Sequence, residues 1–166
     1  MKVCDSRVVR VALVWGIGLG LFGCAKKTEE YRMGQPINMG PFSFEVERTE
    51  ESRRLDLIGG PTPQIKVYYR MLYNKTPPFG TTFDEVLVDV RLVDHANNRI
   101  DWGGRVVVSG NRHHPSEWYD LFTVGRSFMG VRDKARLGQR ASDFRLIIDN
   151  PEVRAGQPER VSIPLR

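Results

Sequence analysis

All ten prolines of this chain fall after position 35, and no segment between them shows the three-and-four apolar spacing of a long helix. The apolar residues alternate instead. Phe42, Phe44 and Val46 are interleaved with Ser43, Glu45 and Glu47; Ile65, Val67, Tyr69, Met71 and Tyr73 with Lys66, Tyr68, Arg70 and Leu72. A period of two places each set on one face of a strand. Phe83–Val93 carries Val86, Val88, Val90 and Leu92 on one side, and its apolar stretch Val86–Val88 predicts a central strand. About nine short strands of this kind predict an all-β fold, an antiparallel sandwich.

The segments between them read as connections. Arg48–Leu57 is charged, with only Leu55 and Leu57 apolar, which predicts a solvated loop; Gly59-Gly60-Pro61-Thr62-Pro63 is loop punctuation. Asp94–Asn98 predicts a turn that closes a hairpin onto Arg99–Trp102. Arg105–Ser109, Trp118–Val124, Phe128–Val131, Phe144–Ile148 and Val161–Leu165 are the remaining strand segments, and polar Lys134–Ser142 has room for a helical turn. Pro164 has no N–H for a ladder, so the last strand lies at an edge or ends there.

The N-terminus follows another logic. Lys2, Arg7 and Arg10 precede an apolar run, Val11–Phe22, and polar residues resume at Lys26. A cationic segment followed by a short apolar one describes an export signal, and the run is shorter than the ~20 residues of a membrane-spanning helix. Leu21-Phe22-Gly23-Cys24 resembles the lipobox of bacterial lipoproteins, with Phe22 a departure at a position more often small. The resemblance implies cleavage before Cys24 and acylation of its sulfur. Residues 1–23 are then the signal peptide, 24–33 a lipidated tether and 34–166 the folded domain. Two or three acyl chains hold a protein on a membrane where a single chain binds only marginally.

Composition agrees with that address. The two cysteines are Cys4, within the signal, and Cys24, so the exported body has no disulfide and no free thiol. The net charge of +5 falls when Lys2, Arg7 and Arg10 leave with Asp5. Such a mild excess permits contact with anionic lipids or cell-wall polymers without demanding it. No basic motif interleaved with aromatics points to nucleic acid.

The body has a resemblance of its own. Gly34–Val46 and Leu87–Asp101 are similar to the opening and central strands of an immunoglobulin-like family found in bacterial surface lipoproteins, and Phe144–Leu165 to its closing strands. The resemblance implies an immunoglobulin-like sandwich at the cell envelope and no settled activity.

Candidate sites are few. His113, His114 and Trp118 lie in Asn111–Tyr119, which with Glu117 is the segment for a small-ligand or metal carrier. Adjacent histidines diverge on a strand, and a metal needs three or four convergent ligands, so no metal site and no cofactor are expected. Asp84 and Glu85 point to opposite strand faces, and Ser109, Ser116 and Ser127 lack a nucleophile-elbow pattern. Trp102, Trp118, Tyr119 and Phe122 are candidates for a sugar- or peptide-binding surface, against the commoner fate of tryptophan in a core. The basic run Arg126, Arg132, Lys134, Arg136 and Arg140 is expected to be a solvated face. The expectation is a non-enzymatic interaction or structural module. It is lipid-anchored at Cys24, outside the cytoplasm, with another envelope protein or a cell-wall polymer as partner. A carrier built on Asn111–Tyr119 and an envelope hydrolase are the alternatives.

Overall fold

The computed structural model describes residues 26–56, 60–74, 89–110, 115–125 and 138–166. Nine strands lie within them: β1 (Thr28–Glu30), β2 (Ile37–Met39), β3 (Phe42–Asp56), β4 (Gly60–Asn74), β5 (Asp89–Asp94), β6 (Arg99–Gly110), β7 (Pro115–Thr123), β8 (Phe144–Asp149) and β9 (Arg160–Pro164). The protein is all-β. The strands form a single curled sheet in the order β1-β9-β8-β5-β6-β7-β4-β3-β2. It is mixed rather than wholly antiparallel, because β1 runs parallel to β9.

The curl is carried by β6. Its first residues pair with β5 (Leu92↔Ile100, Val93↔Arg99), and from Asp101 onward it pairs with β7. One strand thus belongs to both halves of the sheet, and hydrogen bonding continues through it. Register shifts between Trp102/Gly104 and Val107/Ser109 bend it. The sequence divides this stretch into two strands at Gly103-Gly104; the structure keeps it whole by using those glycines. Gly104 has φ +123°, and a Cβ on Gly103 would stand 3.3 Å from the Leu121 carbonyl oxygen.

Both halves contribute to one hydrophobic core. Phe44, Val46, Val67, Tyr69, Trp118 and Phe122 come from one, Val90, Leu92, Leu146, Ile148, Val161 and Ile163 from the other. At its centre the Trp118 indole stacks on Tyr69 (centroids 5.1 Å, planes 3° apart), and Phe44 meets both rings edge-on at 5.9 and 6.3 Å.

Two predicted loops are strand. Arg48–Asp56 continues β3, and Gly60–Pro63 opens β4, with pairing maintained from Phe42↔Asn74 to Asp56↔Gly60. Few apolar residues are needed there because polar side chains on the core side find partners of their own. The core-side Glu51 carboxylate accepts the Ala141 N–H (2.8 Å) at the start of a short 3₁₀ helix, Ala141–Asp143, and Thr49 donates to the Arg166 carbonyl (2.8 Å). Pro61 and Pro63 precede the β4–β7 pairing, where a missing N–H costs no ladder bond on that side.

The domain also begins earlier than residue 34. Thr28–Glu30 is strand β1, the Tyr31 N–H donates to the Ser162 carbonyl (2.9 Å), and Tyr31 and Met33 pack on the core. The expected tether loses these residues to the fold because their apolar side chains have a core to join. The Asp94–Asn98 turn is as expected: Asn97 has φ 62°, and Asp94 Oδ1 accepts the N–H groups of Ala96 and Asn98. β9 ends at Pro164, but it is not an edge, since β1 lies beyond it. Phe83–Val88 and Phe128–Val131 lie outside the described residues.

Candidate functional site

Two outer faces of the sheet carry more than solvated charge. The first spans β3, β4, β7 and β6. Cross-strand register aligns Arg48, Tyr68, Tyr119 and Val106 in one rung, and Glu50, Lys66, Leu121 and Gly104 in the next. Arg48 lies 3.6 Å over the Tyr68 ring, Tyr68 and Tyr119 sit 5.2 Å apart, and Lys66 Nζ is 5.7 Å from the Tyr119 centroid. Cations over aromatic faces are attracted by the ring quadrupole and so help hold the rings in place.

Glu50 ties the two rungs together. Its Oε1 accepts from Lys66 Nζ (2.8 Å) and its Oε2 from the Tyr68 hydroxyl (2.8 Å). These bonds from Lys66 and Tyr68 hold the Glu50 carboxyl below its ordinary value and raise Lys66 in turn. Tyr68 is raised first by desolvation and then by its bond to Glu50. A third rung pairs Arg70 with Glu45, and Val106 is 44% exposed beside it all. The result is a rigid amphipathic face with two ordered tyrosines.

The second face lies on the other half. Outward side chains of β5, β8 and β9, with Arg99 at the start of β6 and Asn97 in the turn before it, enclose a groove of about 570 Å³, lined by Arg91, Arg99, Arg145 and Arg160 with Ser162 and Asn97 among them. Asp149 sits at its end. Arg160 Nε (2.6 Å) and Arg91 Nη2 (2.6 Å) donate to the Asp149 carboxylate, and Lys26 Nζ approaches to 3.7 Å. Desolvation pushes the Asp149 carboxyl up. The bond from Arg160 and the charge of Arg91 outweigh it, so the group lies below its ordinary value.

The residues singled out from sequence fare differently. Cys24, His113 and His114 lie outside the described residues, as do Asp84, Glu85 and the basic run up to Arg136. Trp118 is fully buried on Tyr69 and Phe122 is buried too, whereas Tyr119 takes its place on the outer face and Trp102 is 52% exposed. Asn111–Tyr119 is not one loop, since Pro115–Tyr119 belongs to β7. Glu117 faces outward opposite Arg70 while Trp118 faces the core, so these neighbours cannot converge on a pocket. Arg140 pairs with Glu51 instead of extending a basic face (3.3 Å).

Sequence reading missed the arginine groove and the two-tyrosine rung. Each arginine stands on the polar side of an alternating strand, so its outward direction was legible. The convergence was not, because it depends on β9 and β5 both lying beside β8. Among the described residues no helix is long and apolar enough to cross a membrane, and no three His, Cys, Asp or Glu side chains are grouped as a metal would require. Comparison with known proteins finds no matching family model, curated protein or solved structure.

Proposed function

We propose that this chain is a lipid-anchored interaction module of a bacterial cell envelope. It is held outside the cytoplasm by acyl chains on Cys24 and binds another envelope protein or a cell-wall polymer without catalysing a reaction. The anchor rests on the order of cationic segment, apolar run and Leu21-Phe22-Gly23-Cys24. The binding role rests on one observation: Tyr68 and Tyr119, ordered by Arg48, Lys66 and Glu50, stand on the outer face of a rigid sheet. Tyrosine and arginine dominate the energetic centres of protein interfaces, because a rigid ring supplies contact area at small entropic cost. Preorganisation of this kind reduces the ordering that binding would otherwise demand.

The test has two readouts. Intact mass of protein from membranes should show a chain starting at an acylated Cys24, and Cys24→Ser should release it to the soluble fraction. A photo-crosslinker at Val106 should capture a specific envelope partner or cell-wall fragment, and Tyr68→Ala/Tyr119→Ala should abolish that capture. A chain retaining Met1 removes the anchor; capture indifferent to the tyrosines removes the proposed face.

A further inference from the structure

The arginine groove has features that ion pairing within the fold does not explain. Four arginines line it and no carboxylate does. Asp149, 4% exposed at its end, is already shared by Arg91 and Arg160. Arg145 reaches only Glu30, in a pair exposed at both ends (45% and 72%), and the Arg99 guanidinium has no carboxylate partner among the described residues. A second observation is independent of charge. The Ser162 hydroxyl, on a residue 1% exposed and lining the groove, has no hydrogen-bond partner among the described residues. A buried hydroxyl without a partner loses the free energy of its bonds to water, and a ligand oxygen within the groove would restore it. Guanidinium groups around a hydroxyl donor match the oxygens of a phosphate.

Position selects the phosphate. Thr28 of β1 forms one wall of the groove and stands four residues after Cys24. At 3.3–3.6 Å per residue, Cys24 lies within about 14 Å of that wall whatever path the chain takes. We infer that the groove binds the phosphate headgroups of anionic phospholipids in the bilayer that carries the anchor, so that this half of the sheet faces the membrane. The inference rests on the proposed acylation of Cys24. Arg99 and Arg145 make the contact with phosphate and Ser162 donates to a phosphate oxygen, while Arg91 and Arg160 stay engaged with Asp149. The tyrosine rung lies on the opposite half of the curled sheet and is thereby turned away from the lipid.

The experiment uses acylated protein purified from membranes. It is reconstituted into vesicles of phosphatidylcholine alone, or of phosphatidylcholine with phosphatidylglycerol, and its arginines are modified with phenylglyoxal and mapped by mass spectrometry. On anionic vesicles the labelling of Arg99 and Arg145 should fall about fivefold, the factor for one cation held at an anionic surface. Labelling of Arg53, on β3, should stay constant. Equal labelling on the two vesicle types overturns the proposal, and so does equal protection on both, which would report nearness without charge recognition. Inorganic phosphate added to the neutral vesicles is the third arm: protection as strong as that by phosphatidylglycerol would assign the groove to a free anion and overturn the lipid. Intact mass of the same sample separates this idea from the anchor. A chain without acyl groups removes the anchoring reading, and its flotation with anionic vesicles alone, or its failure to float, still decides the groove.

Discussion

Arg105 on β6 and Asp120 on β7 face each other across the sheet on its inner side, joined by two parallel hydrogen bonds of 2.8 and 3.0 Å, with Asp120 fully buried. A carboxylate at a core-facing position is costly to desolvate, and the bidentate geometry is what makes the position tolerable. Removing one partner leaves the other charge buried. Asp120→Ala should therefore destabilise the fold by about 3–5 kcal/mol, whereas Arg105→Met/Asp120→Leu should recover most of that loss. Urea denaturation of both variants measures it; equal losses in the two would mean that the pair does more than neutralise itself.

The pH profile follows from the same kind of accounting. Glu50 and Asp149 both titrate below their ordinary values in the folded chain. A depressed carboxyl stabilises the fold above its unfolded value and loses that contribution as pH falls through its folded value. The urea midpoint should accordingly hold from neutrality down to about pH 5 and decline below the ordinary carboxylate range. Tyr69 has the opposite sign. Burial first, and then the Asp120 charge, raise its hydroxyl well above 10.0. The neutral ring is favoured in the fold, so stability should fall once alkaline pH passes the ordinary tyrosine value. Glu50→Gln should flatten part of the acid limb and, because the same carboxylate raises Lys66 and Tyr68, soften the alkaline limb as well, leaving the part set by Tyr69.

Gly104 holds β6 in a backbone conformation with φ +123° that side chains rarely adopt, although nothing crowds the space beside it. Gly104→Ala should cost about 1–3 kcal/mol through backbone strain alone. Gly103→Ala meets the Leu121 carbonyl oxygen at 3.3 Å, so its cost depends on how far that strand can yield. Thermal denaturation compares them; a neutral Gly104→Ala would show that the bend in β6 is not fixed by this residue.

Tyr119→Ala separates folding from binding. The ring is on the outer face and contacts Tyr68 at 5.2 Å, so its loss should lower stability by only about 0.2–1 kcal/mol. At the centre of an interface the same truncation should cost 2 kcal/mol or more in affinity. Measuring denaturation and crosslink capture on one variant gives both numbers, and a stability loss as large as the binding loss would make the tyrosine structural.

Trp118→Ala should act the other way. The indole is fully buried between Tyr69 and Phe44, so truncation should remove about 3–5 kcal/mol of stability.

How much of this was legible beforehand depends on which physics decides each residue. Phe42, Phe44 and Val46 declared themselves because burial has a period, and the turn at Asp94–Asn98 because Asn97 tolerates the left-handed conformation. The charged half of β3 did not. Nothing local marks Glu51 as the acceptor for the Ala141 N–H, ninety residues away, and without that partner Arg48–Asp56 reads as loop. Asp120 shares its strand face with Trp118 and Phe122, and nothing local explains a carboxylate there until Arg105 is placed opposite it. Thr28–Glu30 carries no strand signal of its own either, being held by β9 from the far end of the sequence.

That last pairing sets an order of events. Glu29 opposes Val161, and Tyr31 donates to Ser162, so the opening strand has no seat until the closing one exists. During synthesis Thr28–Glu30 must therefore wait without its partner until Arg160–Ser162 has been made, more than a hundred residues later. The β1 edge is thereby the last part of this sheet that synthesis allows to form, after every other described strand has been made.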